Sequence, residues 1–387
     1  MMNPPKVLIF GAGKTGRGFA GAICARSGLS FALVDQDQRL VEELRETNSY
    51  PIQLLGEESE WGTFAFENAW SIAEPAWEEA LMEASVCFTA VFGNNLKALG
   101  ERLAEPLRRR LDYNPEAYLN IITLENQEHA ATLLKAAVMA QIHDDEIQHA
   151  LLQKIGFVEG IVLKTCLGPD TSRAQTMPLL IRAENTFHLP CDGAAFRGPR
   201  PELRDLEPVT PFANQLLRKI FTYNGVNAVI SYLGYLKGYT ELSQAACDPI
   251  IAELALKAGH AINQALIAEY RYNPTEQEAW LNAALAKFKQ IAIPDPIQRN
   301  CADPIRKLAR GDRLIGPALL ILKHGLDADA LIQGTLAAFQ YCEPSRPELL
   351  LEYAGRHELL LEKICGLEKN EALFSRLLEA LRQQTKS

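Results

Sequence analysis

Short, wholly apolar runs alternate with amphipathic stretches through the first half of the chain. Val7–Phe10, Phe31–Val34, Val86–Val91, Ala117–Leu124 and Gly156–Val162 each read as a buried strand. Gln38–Thr47 and Leu96–Leu111 carry helical spacing between them. This alternation predicts an α/β fold with a doubly wound parallel sheet of the Rossmann type. Tyr50–Ala69 shows no clear period, and Met177–Ala183 with Thr186–Pro190 reads as a hairpin-like addition. Arg197–Pro211, rich in proline and charge, is the expected linker. From Phe212 onward apolar residues recur at helical spacing, as in Ile250, Ile251, Leu254 and Leu256. The pattern therefore predicts a mostly α-helical C-terminal domain, with domains at 1–200 and 201–387.

The first apolar run leads directly into Gly11-Ala12-Gly13-Lys14-Thr15-Gly16. A glycine triplet alone is weak, but here it sits between a strand and a helix, and Asp35 closes the next strand. That context is the dinucleotide fingerprint: a tight turn at the first glycine, close approach of pyrophosphate at the second, helix–strand packing at the third. The phosphates would lie on the helix N-terminus. Asp35 would accept hydrogen bonds from the ribose hydroxyls and repel a 2′-phosphate, so NAD is expected over NADP, although Arg39 lies nearby in sequence. Ligands of such sheets lie at the carboxyl ends of the strands. Gly11, Gly93 and Asn126 should therefore converge on the cofactor.

The chain of 387 residues is modestly acidic, with a formal charge of −9, which argues against a nucleic-acid or anionic-membrane surface. No leader segment and no long apolar stretch is evident, so no membrane span is expected. The eight cysteines are scattered without a C-x-x-C, and the seven histidines show no ligand spacing. Free thiols in the cytoplasm and no metal are the expectations. Partners should be small molecules, and the sequence is compatible with a monomer.

Two clusters in the helical half could carry chemistry. Lys219, Asn224 and Asn227 stand just past the linker. On an α-helix Lys219 and Asn227 are about 80° apart, and Asn224 and Asn227 about 60°, so one face could present an amine and two amides. A solvated surface lysine is the bland alternative. The second cluster is Arg306, Lys307, Arg310 and Arg313. If the segment is helical throughout, the three arginines share a face that could hold a phosphate. An exposed ion-pair face with Asp303 and Asp312 is the alternative.

Four ordered segments carry a family resemblance over nearly the whole length. They are Gly11–Phe19 (G-A-G-x-x-G-R-G-F), Leu119–Asn126 ending in a Glu-Asn pair, Lys219–Asn224 (K-x-x-x-x-N), and Pro304–Ile315. In these the chain resembles the polyol-specific long-chain dehydrogenases, most closely their mannitol-1-phosphate 5-dehydrogenase branch. The resemblance implies metal-free, NAD-dependent interconversion of a polyol phosphate and a keto-sugar phosphate, mannitol 1-phosphate and fructose 6-phosphate being the expected pair. It gives Lys219 the role of general base and Asn224 that of hydrogen-bond donor to the reacting oxygen. Arg306, Lys307, Arg310 and Arg313 become phosphate anchors, and Gly11 to Gly16, Asp35, Gly93 and Asn126 cofactor contacts. Two positions depart from the family pattern. Asn227 stands where the family has histidine, and Leu163 where it has aspartate. They leave open an unphosphorylated polyol or hexuronate as substrate, or a catalytically weak NAD-binding protein.

Overall fold

Strand β1 (Val7–Phe10) is buried on both faces, as a continuous apolar run at the centre of a sheet must be. Val7 and Ile9 enter one core cluster while Leu8 and Phe10 enter another. In chain order there follow β2 (Phe31–Asp35), β3 (Ser49–Leu55), β4 (Glu60–Ala65), β5 (Asn68–Ser71), β6 (Val86–Thr89) and β7 (Leu119–Thr123). The series ends with β8 (Ile155–Glu159), β9 (Cys166–Leu167), β10 (Ile181–Glu184), β11 (Leu189–Asp192) and β12 (Leu206–Val209). This computed structural model describes residues 6–56, 59–125, 127, 129–343 and 348–384.

The chain divides into two units, Met1–Phe212 and Ala213–Ser387. In the first, six parallel strands lie in the order β5-β2-β1-β6-β7-β8. The order reverses between β1 and β6, which places the ligand crevice of a Rossmann sheet at their carboxyl ends. Helices cover it, among them Gln38–Thr47, capped by Asp37 accepting from the Leu40 N–H, and Leu96–Tyr113.

Three local expectations are corrected. Tyr50–Ala69 is not irregular: β3 and β4 pair antiparallel within it. The pattern was hidden because β4 is mostly exposed on both faces and so has no apolar alternation. The two segments expected as a hairpin do not pair with each other. Both edges of β10 are taken, by β3 and β9, and β11 pairs with β12 instead. That last pairing also gives the stretch expected as linker a strand of its own.

Among the described residues the second unit contains helices and no strand. Two of its long helices begin as their sequences dictate. Asp248 and Asn273 cap Pro249–Tyr270 and Pro274–Phe288 through their side-chain oxygens, each with proline in the first turn. The core runs through Val226, Val229, Tyr232, Ala255, Ile262, Leu266, Ile315 and Leu331.

Candidate active site

The glycine turn after β1 is built by contacts that no other residue allows. Gly11 has φ +96°, and a Cβ there would lie 2.4 Å from the Ala90 carbonyl oxygen. A Cβ on Gly16 would lie 1.8 Å from the Gly11 carbonyl oxygen. Gly13 is different: no atom lies within 4 Å of where its Cβ would stand. The space in front of the second glycine is thus open to a ligand, as a pyrophosphate requires. Lys14 is exposed and Thr15 half-buried beside it. Asp35, at the end of β2, accepts from the Ala12 N–H at 2.6 Å and the Asp37 N–H at 2.9 Å. Its carboxylate is thereby fixed at the turn. Arg39, the one cation close to it in sequence, is turned to Glu43 at 3.0 Å. These residues fit a dinucleotide.

Sequence reasoning passed over Arg17. Its buried guanidinium donates to the Ala12 carbonyl at 2.7 Å and the Leu179 carbonyl at 2.6 Å, bracing the turn from below. It also passed over Glu125 as a site residue. That buried carboxylate accepts from the Thr89 hydroxyl at 2.8 Å and the Val91 N–H at 3.0 Å, tying the carboxyl end of β6 to that of β7. Burial raises its pKa above the ordinary carboxylate value, against the two hydrogen bonds. Gly93 follows in the same loop, packed so tightly on Gln127 that a Cβ would overlap its side chain. Asn126 lies outside the described residues.

A helical stretch runs without a break from Phe212 to Leu236, all except its first residue in the second unit, but its middle, Lys219–Asn224, is wound as a π-helix. The difference decides which side chains meet. Five α-helical residues leave Lys219 and Asn224 about 140° apart. With i→i+5 hydrogen bonds, residues five apart stack about one turn apart, on a common stripe. The helical wheel drawn from the sequence missed this, because the sequence carries no sign of a π-turn. The wide turn is held from outside. Thr222 accepts from Gln277 Nε2 at 2.9 Å, and the same amide group donates to Asn263 Oδ1 at 2.8 Å, all three buried.

Lys219 is buried, and its pKa falls to about 8. Burial is the main cause, followed by the positive charges of Arg313 and Lys287. A fraction of the amine is therefore neutral at physiological pH, as a proton acceptor must be. Asn224 is half-buried, and Asn227 accepts from the Ser231 hydroxyl at 3.2 Å. Lys287 had no marker in the sequence beyond being one lysine among many.

The cationic cluster is not one helical face. Helix runs only over Pro304–Lys307, the chain turns through Leu308–Leu314, and a new helix starts at Ile315. Arg306 meets Asp303 at 2.6 Å and Asp312 at 3.4 Å, the ion-pair arrangement. Arg310 is drawn elsewhere, with both guanidinium NH2 groups on Glu371. Arg313 pairs with Asp312 at 2.7 Å, and its carbonyl packs against Gly225, next to Asn224. Lys307 is buried, donates to the Asn300 carbonyl at 2.5 Å, and has its pKa lowered to about 7 by burial and by Arg313. The charges of Lys287 and Arg313 thus reach Lys219, and Arg306, Arg310 and Arg313 all have carboxylate partners. Among the described residues no three His, Cys, Asp or Glu side chains group as a metal ion would need.

Residues 5–205 match the mannitol dehydrogenase Rossmann domain, and residues 209–348 match the mannitol dehydrogenase C-terminal domain. The chain belongs to the mannitol dehydrogenase family. Both domains of a mannitol dehydrogenase are thus present, in order along the chain. Its fold is similar to that of a D-sorbitol dehydrogenase in substrate-free form (TM-score 0.80, 16% identity, 98% of this chain and 92% of that one). It is also similar to Pseudomonas fluorescens mannitol 2-dehydrogenase, solved with NAD and D-mannitol (TM-score 0.73, 13% identity, 99% of this chain and 92% of that one). A 2-dehydropantoate 2-reductase from Geobacter metallireducens shares the fold more loosely (TM-score 0.52, 13% identity, 86% of this chain and 99% of that one). No described helix of this mannitol dehydrogenase family member is long and apolar enough to cross a membrane.

Proposed function

We propose that this mannitol dehydrogenase family member oxidises a polyol phosphate reversibly to a keto-sugar phosphate, with mannitol 1-phosphate and fructose 6-phosphate as the pair. NAD, when bound, supplies the hydride acceptor. Lys219 takes the hydroxyl proton on its neutral Nζ, and Asn224 donates a hydrogen bond to the oxygen as it becomes a carbonyl. Asn227 supports the pair as an amide that cannot titrate. The carrying observation is the buried Lys219, with its lowered pKa, on one stripe with Asn224. Arg313, whose charge acts on Lys219, is the cation best placed to hold the phosphate, with its Asp312 contact shared or given up. Lys307, its pKa lowered to about 7 and its amine bound to the Asn300 carbonyl, is not.

A second reading, an unphosphorylated polyol, is favoured by one observation. Arg306, Arg310 and Arg313 already have carboxylate partners. A screen for NADH formation over phosphorylated and free polyols separates the two readings. With a phosphorylated substrate, Arg313→Ala should cost about 2–4 kcal/mol in kcat/KM, as truncating one partner of a charge-assisted contact does. The free polyol should lose far less. Equal losses would assign Arg313 a structural role.

Asp35 leads to an expectation about the cofactor. Asp35→Ser should shift the kcat/KM ratio toward NADP by at least about 10-fold, by removing a like-charge repulsion that costs several kcal/mol. Both cofactors should also weaken, because the Ala12 N–H loses its acceptor. An unchanged ratio would remove Asp35 from the specificity argument.

A further inference from the structure

Phe92 follows the carboxyl end of β6 with φ 64° and ψ 148°, and it is 79% exposed. A positive φ with extended ψ is glycine's region, disfavoured for any residue carrying a Cβ. The backbone around it leaves no way out. The Val91 N–H is held by Glu125 at 3.0 Å, and the Val91 carbonyl accepts from Asn95 Nδ2 at 2.7 Å. The Phe92 carbonyl accepts from the Asn95 N–H at 3.0 Å, and Gly93 is seated on Gln127. This frame holds a large apolar ring in solvent, at a cost in strain, where glycine would serve the turn better.

The position explains what the ring is for. Ala90 packs its carbonyl against Gly11, so the loop carrying Phe92 runs beside the glycine turn. Strand β6 flanks β1 on the side opposite β2. Asp35, at the end of β2, marks the adenosine-ribose side of the crevice. Phe92 therefore stands across the pyrophosphate turn from Asp35.

We propose that Phe92 is a cofactor-contact residue whose ring covers the nicotinamide-ribose half of the bound dinucleotide. The inference rests on the dinucleotide reading of the glycine turn. The ring supplies a flat apolar face, and the strained backbone fixes its direction before the cofactor arrives.

The test uses the full chain with NADH and ADP as probes, together with thermal unfolding of the cofactor-free protein. Phe92→Ala and Phe92→Gly should each raise the Kd for NADH roughly 5- to 50-fold, the usual worth of an aromatic stacking partner. Binding of ADP, which lacks the nicotinamide half, should stay at the wild-type value. Phe92→Gly should also raise the unfolding temperature, because glycine relieves the positive φ. A contact that served only the fold would not move stability and affinity in opposite directions. Unchanged NADH binding in both variants, beside a wild type that binds both probes, would overturn this proposal alone. Equal weakening of ADP would overturn the placement on the nicotinamide side. A wild type that binds neither probe would overturn the dinucleotide reading and this proposal with it.

Discussion

Lys219→Ala should lower polyol oxidation by about 10²–10⁴-fold, the worth of a positioned acid–base group. NADH affinity should hardly change, because the glycine turn and Asp35 belong to the first unit. The pH profile supplies an independent reading of the same role. Burial and the charges of Arg313 and Lys287 bring the Lys219 pKa down to about 8. A base works in its deprotonated form, so oxidation should rise with pH, inflect near 8 and level off above it. The residual rate of Lys219→Ala should lack that inflection. Lys219→Arg should be as poor as alanine, since guanidinium stays protonated across this range. Steady-state rates from pH 6 to 10, with NADH titrations as the folding control, measure all three. Wild-type turnover in Lys219→Ala would exclude the mechanism.

The second large effect concerns two glycines of one turn that should fail in different ways. Gly16→Ala brings a Cβ to 1.8 Å from the Gly11 carbonyl oxygen, a contact no side-chain shift can relieve. The turn must open, and a loss above about 4 kcal/mol in unfolding free energy is expected, the range of severe local disruption. Gly13→Ala meets nothing within 4 Å and needs no positive φ. Its unfolding free energy should stay within about 1 kcal/mol of wild type, or rise slightly. The added methyl nevertheless fills the approach to the pyrophosphate, so the Kd for NADH should rise by about 10-fold or more. Denaturant melts and NADH titrations on both variants check this. Tight NADH binding by Gly13→Ala would mean that the phosphates do not use this turn.

The sheet was legible where burial is two-sided. The runs Val7–Phe10 and Phe31–Val34 read as buried strands, and Gln38–Thr47 as the helix after them. Pairing between distant segments was not legible. Nothing near β10 says that β3 will take its edge, since partners so far apart in sequence leave no local pattern. Strand β4 was hidden by its exposure. The cationic cluster misled because periodicity assumes an unbroken helix, and Leu308–Leu314 breaks it. Arg310 then finds Glu371, a partner that no spacing rule connects to it. At the candidate site, residue identities were readable but their geometry was not. Lysine and asparagine five apart should diverge on an ordinary helix, and only the wide turn reconciles them.

That wide turn has a consequence for the comparison of chain lengths. A π-turn holds one residue more than the α-helical turn it replaces. Lys219–Asn224 thus accommodates one residue more than an α-helical turn would, within a continuous helical stretch. The helix beyond it keeps its phase because Val226, Val229, Ile230 and Tyr232 are fixed in the core. A chain one residue shorter here, with Lys-x-x-x-Asn in unbroken α-helix, would set the two side chains about 40° apart, again on one stripe. The two spacings are therefore geometric synonyms. An alignment that demands the longer one would place a gap inside the site and overlook an equivalent pair.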